Sequence, residues 1–85
     1  MNRGRLLIRI LNQRSRNVSF DDMVNLVQGF GFRLVRTRGS HHIFSHPDIP
    51  ELLNLQEMGG KAKAYQIQQF LQLVERHDLR LEEEP

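Results

Sequence analysis

The chain has 85 residues, 39% of them hydrophobic, a net charge of +2 and no cysteine. That length holds one hydrophobic core rather than two domains, and the missing cysteines exclude disulfides, thiolate metal sites and thiol nucleophiles. No apolar run approaches the roughly 18 residues of a membrane span, and the apolar stretch near the start is short and broken by Arg, so a soluble, cytoplasmic protein is expected.

Leu6, Leu7, Ile10 and Leu11 recur at helical spacing among Arg3, Arg5 and Arg9, which predicts a short amphipathic helix over 4–12. Residues 13–17 are polar and read as a loop. Ser19 has the chemistry of an N-cap, with Asp22 as a weaker form of the capping box. Phe20, Met23, Val24, Leu26, Val27 and Phe30 predict a helix over 20–29, bracketed at its end by Gly29 and Gly31. Phe32 to Arg38 reads as a first strand, with Val35 and Thr37 adding β-branched bulk. Gly39-Ser40 is a two-residue hairpin turn and His41 to Ser45 a second strand. Pro47 and Pro50 bound a turn, and Leu52 to Gln56 is a third strand. Gly59 to Lys63 reads as a flexible basic loop. Ile67, Phe70, Leu71 and Val74 predict a last helix over 65–77, and Glu82, Glu83 and Glu84 an acidic fray. The order α-α-β-β-β-α predicts an α+β fold, a three-stranded antiparallel sheet with helices on one face. One domain is expected over 1–85, with an N-terminal helical extension at 1–17, a core at 18–78 and an acidic tail at 79–85.

Residues 36–47 concentrate the chemistry. They hold His41, His42 and His46, three of the four histidines, together with Arg36, Arg38 and a Gly-Ser turn. Histidine titrates near neutrality and can both take and give a proton. Side chains alternate across a strand. If Phe44 faces the helices, His42 and His46 share its side and His41 lies on the open face. The three imidazoles then cannot converge on a metal, which needs three or more ligands together. Ser40 lacks the strand–elbow–helix setting of a hydrolase nucleophile, and Gly59-Gly60-Lys61 is too short for a P-loop. Metal-free RNA cleavage asks for less: a base for the ribose 2′-OH, and cations or backbone N–H groups for the charge gathering on phosphate. His41 is the candidate acid or base, with Arg36, Arg38, Lys61 and Lys63 as cations and Gly39 allowing close backbone approach. The first 38 residues carry eight Arg and two Asp, and this basic half fits a nucleic-acid partner or a solvated helical face. The same residues would also serve RNA binding without cleavage, and the first helix could instead dock a protein.

The order Gly31-Phe32, Arg36, Gly39-Ser40-His41, Phe44 and His46-Pro47, followed by a strand, a loop with Lys61 and Lys63, and a final helix, resembles the HicA family of toxins from toxin–antitoxin systems. The resemblance covers about residues 20–77. It implies a small fold similar to the double-stranded-RNA-binding domain and metal-independent endoribonuclease activity on mRNA. The family's one essential histidine follows the Gly-Ser pair, which places that role on His41; Arg36, Arg38, Gly39, Ser40, Lys61 and Lys63 are expected around it as RNA- or phosphate-binding residues. No cofactor or metal is implied, and the implied protein partner is a HicB-like antitoxin that masks the site. The chain departs from many members in carrying Leu55-Gln56-Glu57-Met58 where they have a Val-Pro-x-His segment, and in its first helix.

Overall fold

A computed structural model describes residues 2–12 and 18–82. The loop read at 13–17 and the last residues of the acidic tail, 83–85, lie outside the described residues.

The first helix, α1 (Arg3–Leu11), starts where Asn2 caps it: the Asn2 side-chain oxygen accepts from the Arg5 N–H at 2.9 Å. Its apolar stripe is used within the chain, because Leu6 and Ile10 are buried in the common core. Arg3 Nε donates to the Asn25 carbonyl of the next helix at 2.9 Å, fixing α1 along it. That next helix, α2 (Phe20–Gly29), is capped as the sequence predicts, with Ser19 Oγ accepting from the Asp22 N–H at 3.0 Å. It ends in a Schellman turn: Gly31 N–H reaches Gln28 O at 3.0 Å and Phe32 N–H reaches Val27 O at 3.1 Å. Gly31 takes φ +96°, a conformation that a side chain would strain.

The chain then forms β1 (Arg33–Arg38), β2 (His41–Ser45) and β3 (Leu53–Met58), each antiparallel to the next. The sheet has four strands rather than the three expected. Gly59 and Gly60 take φ +57° and +78°, the pair of positive values that a type I′ turn requires. The stretch read as a flexible loop therefore folds back as a short strand, β4 (Lys61–Ala62), on β3. The segment before α2 holds its other side, where Ala62 N–H reaches Val18 O at 3.1 Å and Phe20 N–H reaches Gly60 O at 2.8 Å.

The last helix, α3 (Ala64–His77), closes the layer. Helices α2 and α3 cover one face of the sheet, and Phe44, Leu53 and Leu55 meet Met23, Leu26, Ile67 and Phe70 in a fully buried core. Leu79 and Leu81 pack against the same core, and the Glu82 N–H donates to Gly29 O at 2.7 Å. The α-β-β-β-α order from α2 onward fits the small fold of the double-stranded-RNA-binding domain, with α1 and β4 added.

Candidate active site

The register of β2 decides which histidine is accessible. Phe44 pairs with Leu53 and His42 with Leu55, and these partners are buried against the helices. His41 pairs with Gln56 and Ile43 with Asn54 on the opposite, open face. The adjacent histidines therefore point to opposite sides of the sheet.

His42 lies 4.7 Å from the Phe20 ring, centroid to centroid, and its Nδ1–H donates to the Ser40 carbonyl at 3.2 Å. His46 is held more completely. Its Nε2–H donates to the Phe30 carbonyl at 2.8 Å while Nδ1 accepts from the Asp48 N–H at 3.1 Å. A carbonyl can only accept and a backbone N–H can only donate, so the pair fixes one neutral tautomer. The fourth histidine, His77, lines a cavity with His46 and bonds Glu51 through Nε2 at 2.9 Å. The Glu51 carboxyl is held below its usual range, first by His77 and then by Arg76 at 2.9 Å.

His41 has a different setting. It is half-buried, and its Nδ1 meets the Asn54 amide, with Nδ2 at 3.1 Å and Oδ1 at 3.3 Å. Among the described residues nothing bonds its Nε2. The neighbouring turn is firmly built. Gly39 takes φ +59°, and open space surrounds the place where a Cβ would stand. Ser40 Oγ accepts from Gln56 Nε2 at 3.3 Å and the Ser40 carbonyl accepts from the Glu57 N–H at 3.0 Å. These contacts tie the hairpin turn to β3.

The cations reach this face because β1 carries a bulge. Leu34 pairs with Phe44, but Arg36 rather than Val35 pairs with Ile43, and Arg38 pairs with His41. Strict alternation from buried Phe32 would turn Arg36 and Arg38 toward the helices. The extra residue, Val35, flips the parity, and bulges commonly re-aim side chains in this way. Arg38 is thus the direct cross-strand neighbour of His41, with Cβ atoms about 5 Å apart in such a pair. Lys61 pairs with Met58 and shares the open face from the far edge, about 14 Å from β1 at the usual spacing of strands. Arg36, Arg38 and Lys61 are exposed and have no ion-pair partner among the described residues. Lys63 is not on the sheet; it stands at the start of α3 with Nζ 5.5 Å from the centre of the Tyr65 ring.

The structure thus gathers His41, Arg36, Arg38 and Lys61 on one face, with Gly39 and Ser40 at its rim, and leaves Lys63 to one side. Sequence reading missed Asn54 and Gln56. Their alternation with Leu53 and Leu55 marks them as open-face residues, but only the register brings them to the start of β2. An imidazole with one nitrogen held and one bare, beside unpaired guanidinium groups, can exchange a proton next to a bound phosphate.

One protein-family model, described as HicA toxin of bacterial toxin-antitoxin, matches residues 20–75. That span runs from the start of α2 into α3 and contains the whole open face. Comparison with curated proteins and with solved structures gives no match.

Proposed function

We propose that this chain, which belongs to the HicA toxin family of bacterial toxin–antitoxin systems, is an mRNA-cleaving toxin that works through His41. The observation that carries the reading is the bare Nε2 of His41 beside Arg38 on an open, cationic sheet face.

RNA supplies its own nucleophile. His41 Nε2 takes the proton of a ribose 2′-OH, and the 2′-oxygen attacks the adjacent phosphorus. The new O2′–P bond forms as the P–O5′ bond breaks, leaving a 2′,3′-cyclic phosphate. The leaving 5′-oxygen takes a proton from the imidazolium or from water. Arg38, Arg36 and Lys61 offset the charge gathering on the non-bridging oxygens. Arg suits this work because its planar fork meets phosphate oxygens in pairs. The base and the cations in the scheme come from the chain and the nucleophile from the RNA, so cleavage is expected without a metal. A HicB-like antitoxin would act by covering the same face in the cytoplasm.

Purified protein mixed with RNA in the presence of EDTA tests the reading. Wild type should shorten the RNA to products with 5′-hydroxyl and cyclic phosphate ends. His41→Ala should lower the rate by about 10²–10⁴-fold. If RNA stays intact but is retained in a steeply salt-dependent way, the chain is an RNA-binding module without cleavage. Intact RNA without retention would point to a protein-interaction domain.

A further inference from the structure

Strand β3 contributes to the site more than its apolar half. Asn54 and Gln56 are its alternate open-face residues, and both reach toward the start of β2. Gln56 Nε2 donates to Ser40 Oγ at 3.3 Å, and the Asn54 amide lies against His41 Nδ1. Gln56 is itself held from the other side, since its backbone N–H donates to the buried Gln66 Oε1 of α3. This part of β3 is therefore anchored to the core, and its open-face side chains project from a rigid element.

We infer that Asn54 is a positioning residue that holds the His41 ring with its proton on Nδ1 and its lone pair on Nε2. The inference rests on the proposed role of His41. Asn54 Oδ1 at 3.3 Å accepts the Nδ1–H, which leaves Nε2 to take a proton from substrate. The same Nδ1–H···Oδ1 bond persists once Nε2 is protonated, so the ring need not turn during the cycle. An amide suits this work because it carries no charge. It fixes the tautomer without storing the proton, whereas a carboxylate in its place would hold the imidazolium. The Asn54 nitrogen stands at 3.1 Å, nearly level with the oxygen. From that nearer position the amide can donate into Nδ1 instead, which puts the ring proton on Nε2 and removes the base, whereas a half-turn of the amide brings the oxygen to the nearer position. Asn54 thus selects between an active and an inactive ring.

Nitrogen-15 NMR of the His41 ring, recorded with and without RNA cleavage assays, tests this. In wild type the neutral ring should carry its proton on Nδ1. Asn54→Leu should release that preference and lower cleavage by about ten- to a hundred-fold, the scale of a misplaced catalytic group. Asn54→Asp, which keeps the shape, places a negative charge beside the ring and should move its titration upward, and the limb of the pH–rate profile should move with it. Backbone amide spectra report whether each variant is folded, and the isosteric Asp variant decides the matter if the Leu variant is not. A wild-type neutral ring protonated on Nε2, or a ring whose titration ignores Asn54→Asp, overturns the inference. If the ring responds to Asn54 but wild type cleaves no RNA, positioning stands and the nuclease reading falls. If wild type cleaves RNA and the ring is indifferent to Asn54, the reverse holds.

Discussion

The two ends of β2 use the same side chain for opposite purposes. At its close, His46 spends both ring nitrogens on backbone groups, Phe30 O at 2.8 Å and the Asp48 N–H at 3.1 Å, and sets its ring 5.0 Å from that of Phe32. At its start, His41 spends one nitrogen on a side-chain amide and leaves the other bare. Backbone partners on both sides lock one tautomer and tie the turn after β2 to the turn that joins α2 to β1. The His46 ring is thus part of the fold's closure, while His41 is supported by the fold with its Nε2 unbonded among the described residues. Titratable side chains in one strand are best sorted by what holds them, and not by residue type.

Swapping the two losses tests the contrast most strongly. His41→Ala should cut RNA cleavage by about 10²–10⁴-fold while costing about 1 kcal/mol or less of stability, since the half-buried ring makes one side-chain hydrogen bond. His46→Ala should leave the Phe30 carbonyl and the Asp48 N–H short of a partner and remove a packed ring, a loss of about 2–3 kcal/mol. For a chain of this size that lowers Tm by roughly 10–20 °C. Cleavage by the His46 variant, assayed well below its Tm, should stay near wild type. A larger fall in Tm for His41→Ala than for His46→Ala would break the comparison.

A smaller effect sharpens it from the other side. Gly31 has φ +96°, and a Cβ placed there would lie 2.9 Å from His46 Nε2. Gly31→Ala should cost about 1–2 kcal/mol for the left-handed conformation alone, plus a further contribution from the ring contact. Urea midpoints of a double-mutant cycle separate the two parts. In the His46→Ala background the contact disappears and the conformational part remains, so the second loss should be smaller than the first. Equal losses in both backgrounds would mean that Gly31 and His46 do not pack as a unit.

Much of this was open to reading from the sequence, because the relevant signals are local. The Ser19 cap, the i, i+3, i+4 stripes of α2 and α3, and the separation of His41 from His42 all follow from period and parity. The resemblance to the family that the chain belongs to was legible in the Gly, His and Pro residues of 31–47. The features that escaped are the ones that depend on register. Nothing in Arg33-Leu34-Val35-Arg36 announces the bulge at Val35, yet without it Arg36 and Arg38 would turn away from His41. Asn54 is an ordinary strand residue until pairing sets it beside an imidazole. Strand β4 escaped for another reason: Met58-Gly59-Gly60-Lys61 carries a type I′ signature, but two glycines also read as flexibility. The apolar stripe of α1 was legible as a stripe, while its docking on α2 through Leu6, Ile10 and the Arg3–Asn25 bond needed the tertiary structure.

His77 supplies a third case, between the other two, and the smallest expected effect. Its Nε2 bonds Glu51 at 2.9 Å, Arg76 reaches the same carboxylate at 2.9 Å, and the three lie near the surface. The Glu51 carboxyl is held below its ordinary value, first by the His77 bond and then by Arg76. A carboxyl whose folded pKa is depressed contributes stability that is fully present above its unfolded pKa. That contribution is lost as pH falls through the depressed folded value. Thermal melts should therefore show a difference between wild type and Glu51→Gln that shrinks as pH falls below the ordinary carboxylate range. RNA cleavage by Glu51→Gln should match wild type, because Glu51 pins the end of α3 to the turn before β3 and does not touch the open face. The Tm difference should be small, as exposed ion pairs contribute little. If it instead grew as the solution was acidified, Glu51 would be repelled in the fold rather than held by it, and His77 would not belong with the structural histidines.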